Sequence, residues 1–272
     1  MIAKSIASLG NVVFDSIVGF GDFCRFCGRT FAWTVEIVRG RNLRRLLPQF
    51  YLVGTRSIPV VMITGVFVGM VLAVQAVMQF QAIGYAAAMG AIVNLSVVKE
   101  LGPVLAGIML AGRVGGGLTA ELGTMRVTEQ LDALRAMGAD PLRVLVVPRF
   151  LACTLLIPML VIYADFMGVL GGYVVSVHVY GVSAGEFWRH ATDAVEMFDV
   201  FHGLIKSVLF GASMSLICCY KGFRCAPGAA GVGRACTQSF VASFMAIITL
   251  DFFVGMLLNS IYEMYYGLKV IL

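Results

Sequence analysis

Charge is scarce in this chain. Of its 272 residues only 13% are Asp, Glu, Lys or Arg, against the roughly 25% of a soluble domain. That shortage excludes a water-soluble globule, because too few polar side chains remain to cover its outside. A hydrophobic content of 60% excludes a disordered chain as well. The Walker pattern G-x-x-x-x-G-K-[ST] is absent throughout, so no phosphate-cradling loop is present and the chain is not expected to bind ATP. Cys24-x-x-Cys27 has neither a second C-x-x-C nor a neighbouring His. It therefore reads as two small apolar residues on a helix rather than half a zinc site or a redox pair. No cleavable signal peptide is expected either, since Asp15 and Asp22 interrupt any apolar core in the first thirty residues.

What the chain does have is apolar length, with a mean hydropathy of +0.91. From Ile2 to Phe20 apolar residues recur every three or four positions between Lys4, Ser8, Asp15 and other polar residues. That pattern is an amphipathic helix too polar to span, which is expected to lie in the membrane interface. Phe23, Phe26, Phe31 and Trp33 extend it, and Arg39, Arg41, Arg44 and Arg45 follow. Membrane spans are expected at 57–79, 86–112, 150–180, 200–219 and 238–258, each apolar over the ~20 residues a bilayer core requires. The expected architecture is one all-α integral membrane domain over 1–272, with an interfacial and basic segment at 1–50 and five spans within 57–258. The third stretch exceeds a bilayer's thickness and is expected to tilt, to bend near Pro158 or Gly171-Gly172, or to project from the membrane.

The surplus of five positive charges reports topology rather than nucleic-acid binding. With the N-terminus in the cytoplasm, sixteen Lys and Arg fall on inner segments and two, Arg189 and Lys269, on outer ones. The positive-inside rule therefore places the N-terminus in the cytoplasm and, after five spans, the C-terminus outside. The outer loop carries Glu186, Asp193, Glu196 and Asp199. All seven cysteines fall on or near the inner side, where thiols stay reduced, so no disulfide is expected.

Between spans two and three, Val127, Leu131 and Leu134 alternate with Glu129, Gln130, Asp132 and Arg135 until Gly138-Ala139-Asp140-Pro141 stops the pattern. A connector could be far shorter, so this helix reads as a docking element for a soluble partner. Gly181-x-Ser183-x-Gly185, with Asp193 and His202 downstream, matches the nucleophile-elbow pattern of hydrolases. That pattern needs a strand-to-helix elbow, and a helical span precedes it here, so a turn is expected instead. Lys99, Glu100, Asp165, Lys206 and Asp251 fall inside spans, where charges are costly and usually functional, and structural pairing is the role expected of them here. Pro103 is expected to kink span two beside Lys99 and Glu100. Counting about 1.5 Å of rise per residue puts Lys206 and Asp251 in nearly the same layer, where they could pair. Gly65-x-x-x-Gly69 and Gly168-x-x-x-Gly172 signal close helix contacts, within the chain or across a dimer.

Lys99-Glu100-Leu101-Gly102-Pro103-Val104, Ala111-Gly112-Arg113, Thr119-Ala120-Glu121-Leu122-Gly123, Met125-Arg126-x-Thr128-Glu129-Gln130, Asp140-Pro141-Leu142 and Pro148-Arg149-Phe150 resemble the MlaE permease family of bacterial lipid transporters. The resemblance covers essentially the whole chain. It implies a homodimeric permease of an ABC complex in the Gram-negative inner membrane. Such a complex moves phospholipid between inner and outer membranes and maintains outer-membrane lipid asymmetry. The partners it implies are a cytoplasmic ATPase that holds ATP and magnesium, a STAS-domain protein, and a hexameric periplasmic MCE-domain protein. No cofactor, metal, catalytic residue or nucleic acid is expected on this chain. The resemblance also implies a coupling helix at 126–137, with Arg126, Glu129, Gln130, Asp132 and Arg135 toward the ATPase. It further implies a lipid cavity at the dimer interface, where Leu72 matches a family position. Gln79, Phe80 and Ile83 stand at neighbouring cavity positions but differ in type. A permease for another lipid such as a sterol, and a membrane-embedded hydrolase acting through Ser183, are the alternatives.

Overall fold

The computed structural model describes residues 2–39, 46–81 and 89–266, and side chains at 14, 17–36, 46–78 and 90–265. Every regular element among the described residues is helical. In hydrocarbon each backbone N–H and C=O must be satisfied within its own segment, which the helix achieves. Among the described residues, five helices are long and apolar enough to cross a membrane: Leu47–Met78, Gly90–Val127, Leu142–Val179, Met197–Phe223 and Ala229–Tyr265. They are called spans one to five. The protein is an all-α integral membrane protein. The N-terminal helix, Ile2–Arg39, precedes the spans as one 38-residue element. Arg41, Arg44, Arg45, Ile83 and Lys269 lie outside the described residues, as do the side chains of Arg39, Gln79 and Phe80.

Glycine sets how closely the spans approach. A Cβ on Gly69 of span one would lie 1.8 Å from the Gly168 carbonyl oxygen of span three, and one on Gly65 would lie 2.5 Å from that of Ala164. The two small-residue motifs therefore face each other inside one chain. Close backbone contact supplies the dispersion energy that drives helix association in lipid. Against this pair pack Leu110 of span two, Phe210 and Met214 of span four, and Ile247 of span five, all fully buried with Ile157 and Val161.

Span two extends beyond the boundary expected at residue 112. It continues through Gly115-Gly116-Gly117 to Val127. Glycine costs a helix about 1 kcal/mol relative to alanine, but a Cβ at Gly115 would meet the Cys218 sulfur of span four at 2.7 Å. The glycine there admits a neighbouring helix instead of ending its own. The break comes at Thr128-Glu129, where Glu129 takes a left-handed φ of 60°. The short helix is consequently Gln130–Ala136, so Arg126 belongs to the end of span two and Glu129 to the corner. Gly138, at φ 75°, closes it.

At both expected distortions the helix continues. Span three is an uninterrupted α-helix from Val147 to Val174, through both Pro158 and Gly171-Gly172, with a π-helical turn at each end. Near Pro103 the adjustment is a π-helical turn over Val97–Leu101, which carries Lys99 and Glu100 and leaves Pro103 in the first turn of the segment that follows.

Candidate functional site

The spans bring three of the five charges expected inside them, Glu100, Lys206 and Asp251, into one network. Lys206 of span four is 0% exposed. Its ammonium lies 2.9 Å from Asp251 Oδ1 of span five and 2.5 Å from Glu100 Oε2 of span two. The Glu100 contact is a hydrogen bond; the angles at Asp251 make that contact an ion pair without an aligned hydrogen bond. One helical turn beyond Asp251, Gly255 leaves room for the ammonium, which a Cβ would approach to 3.1 Å. Lys99 instead reaches Asp199 at 3.7 Å. Asp199 was expected in the outer loop, but span four begins at Met197, and the carboxylate sits in its first turn at 1% exposure. Two acids thus surround one buried lysine, while the Glu100 side chain remains 40% exposed.

Asp165 stands apart from these pairs. It packs against the span-two backbone, where a Cβ on Gly102 would fall 1.7 Å from Asp165 Oδ1, and that buried oxygen has no hydrogen-bond partner among the described residues.

On span one, Leu72 is half-buried and packs beside Ala73, Ala76, Val93 and Val97. Val60, Ile63, Phe67, Val71, Val74 and Met78 form an exposed stripe along the same helix. Their spacings of three and four put them on one face. Gln75, which the sequence reading did not single out, is an exposed polar residue on this apolar span.

At the other end of the bundle, Leu131 anchors the short helix by burying its side chain fully, while Glu129, Gln130, Asp132 and Arg135 are exposed. Asp132 is held by Arg126 at 2.8 Å and by Arg135 at 2.5 Å. The loop that follows is latched to the N-terminal helix through Asp140. Its carboxylate accepts hydrogen bonds from Trp33 Nε1 at 3.1 Å, Arg29 at 3.1 Å and the Leu142 backbone N–H at 2.9 Å. Arg143 adds a 3.2 Å ion pair to Glu36 and lies over the Trp33 ring. Arg149, 4% exposed at the start of span three, pairs with Glu121 of span two at 2.9 Å. These links were visible in the sequence only as motif letters.

Ser183 lies in a turn between two helices, immediately before Ala184–Ala194, and His202 is buried within span four. No strand-to-helix elbow is present at that serine. All seven cysteines are free thiols, and burial, helped by neighbouring Cys24, pushes the Cys27 thiol up to about 11.

Fold and site together define a polytopic helical membrane protein with one polar layer in its interior and a short helix presented beyond the bundle. The family model described as Permease MlaE matches residues 46–257. The chain is 34% identical over 258 residues to the intermembrane phospholipid transport system permease protein MlaE of Haemophilus influenzae, covering 93% of this chain and 96% of the relative. It is 40% identical over 225 residues to a probable ABC transporter permease protein of Synechocystis, covering 82% and 86%. It is 37% identical over 219 residues to the chloroplastic protein TRIGALACTOSYLDIACYLGLYCEROL 1 of Arabidopsis thaliana, covering 80% and 63%. The chain belongs to the MlaE permease family.

Proposed function

We propose that this chain is the permease subunit of an ABC transporter that moves phospholipid between the inner and outer membranes and so maintains outer-membrane lipid asymmetry. The observation that carries this reading is the near full-length similarity to a relative named as a phospholipid transport permease. Two copies enclose a lipid-sized cavity, with Leu72, Gln79, Phe80 and Ile83 of this chain at its wall. The exposed apolar stripe of span one supports such a pairing. A separate cytoplasmic ATPase holds ATP and magnesium, and its movements reach the bundle through Gln130–Ala136. The exposed charges of that helix suit a polar docking surface. A STAS-domain protein on the ATPase and a hexameric MCE-domain ring on the periplasmic side complete the assembly. The chain sits in the Gram-negative inner membrane with its N-terminus cytoplasmic and its C-terminus periplasmic, in keeping with the distribution of Lys and Arg.

The Lys206, Glu100 and Asp251 network gives the cavity a mechanical element. Glu100 is the member that remains accessible, so a change in its surroundings is transmitted to spans four and five through Lys206. Copurification with the ATPase tests the reading. The chain alone should bind no nucleotide, and the paired charge reversal Glu129→Lys with Asp132→Lys should lose the ATPase. Saturable ATP binding to the isolated chain would overturn it.

A further inference from the structure

A cleft of about 990 Å³ opens between the N-terminal helix, the loop after the short helix and the end of span four. Arg25, Arg29, Arg135 and Arg224 line it against only two carboxylates, Asp22 and Asp140, so its formal charge is +2 (four minus two). Three of these arginines already have partners: Arg29 with Asp140, Arg224 with Asp22, and Arg135 with Asp132 outside the cleft. Arg25 has no ion pair among the described residues. One wall is apolar, formed by Phe26, Leu142, Tyr220 and Phe223. The N-terminal helix also exposes Phe14, Ile17, Val18 and Phe20. An amphipathic helix with such a face lies at the boundary of head groups and acyl chains, which places the cleft at head-group depth.

We propose that this cleft binds the head group of an anionic phospholipid of the adjacent leaflet. Guanidinium forks match phosphate oxygens in pairs, and Arg25 is the fork left open. The aromatic wall receives the glycerol and first methylenes, which separates a lipid from a free phosphate ester. A net charge of +2 favours phosphatidylglycerol over phosphatidylcholine, because the choline cation brings its own positive charge into the cleft. Arg135 and Asp140 join the cleft to the short helix, so an occupied cleft stiffens that helix's C-terminal anchor. The inference rests on the cleft and the lipid-facing helix, and holds whichever lipid the bundle transports.

The test is native mass spectrometry of the full chain released from nanodiscs of dimyristoyl phosphatidylcholine containing dimyristoyl phosphatidylglycerol. Lipids on other surfaces set a baseline common to all variants. The wild type should retain phosphatidylglycerol selectively. Arg25→Gln, which breaks no hydrogen bond or ion pair among the described residues, should weaken that retention by about tenfold, the scale of one charge-assisted hydrogen bond. Asp22→Asn releases Arg224 and raises the formal charge to +3, so it should strengthen retention, an effect opposite to that of misfolding. Equal retention of both lipids, an unchanged Arg25→Gln, or a weaker Asp22→Asn would overturn the proposal. Displacement by millimolar glycerol 3-phosphate would also overturn it, by identifying a soluble phosphate ester as the ligand.

Discussion

The Lys206 ammonium and the Asp251 carboxylate lie 2.9 Å apart between spans four and five, and Glu100 of span two closes on the same ammonium. Breaking a buried pair leaves a charge without compensation, at about 3–5 kcal/mol. Removing the lysine leaves two facing acids, whereas removing Glu100 leaves the Lys206–Asp251 pair. Lys206→Met should therefore lower the unfolding midpoint in detergent more than Glu100→Gln. The exchange Lys206→Asp with Asp251→Lys should recover only part of the loss, because Glu100 would then face an aspartate. Equal midpoints for Lys206→Met and Glu100→Gln would show that the lysine is not the hub.

Gly69 and Gly117 separate packing from propensity. A side chain at Gly69 collides with the Gly168 carbonyl, while a Cβ at Gly117 meets nothing within 4 Å. Gly69→Val should prevent the span-one and span-three contact and abolish the folded monodisperse species. Gly117→Ala should raise stability by about 0.5–1 kcal/mol through helix propensity alone. Size-exclusion profiles and thermal melts report both. A monodisperse, stable Gly69→Val would contradict the packing described.

The Cys27 thiol, pushed up to about 11 by burial, should be slow to alkylate near neutrality because the thiolate is the reactive form. Raising pH toward 11 increases the thiolate fraction by about tenfold per unit. With Cys24 in place, iodoacetamide labelling at Cys27, read on its own peptide by mass spectrometry, should rise in that proportion between about pH 8 and 10. A half-maximal rate near pH 9 would place the thiol in an ordinary environment.

Sequence legibility followed the size of the physical signal. Spans are legible because apolar runs of bilayer length have few other uses, and the shared layer of Lys206 and Asp251 follows from helical rise alone. The partners of Lys99 and Glu100 were not legible. Neighbouring helix positions point about 100° apart, so the two adjacent charges serve different elements, Lys99 meeting Asp199 and Glu100 meeting Lys206. Asp199 looked like loop because it is acidic at the edge of an apolar run, and only tertiary contact shows it buried. The boundary expected at residue 112 fell short for the same reason: the Cys218 sulfur that makes Gly115 necessary lies about a hundred residues away. The four cavity residues were named from the family pattern, and of these only Leu72 lies where side chains are described.

Transfer of radiolabelled phospholipid from proteoliposomes to a soluble acceptor, with the chain reconstituted beside its copurifying ATPase, tests the central claim most directly. Transfer that depends on ATP, requires both proteins and is lost in Lys206→Met at matched protein levels is the predicted result. ATP-independent transfer, or none with an active ATPase present, would contradict the assignment of this chain as a phospholipid permease.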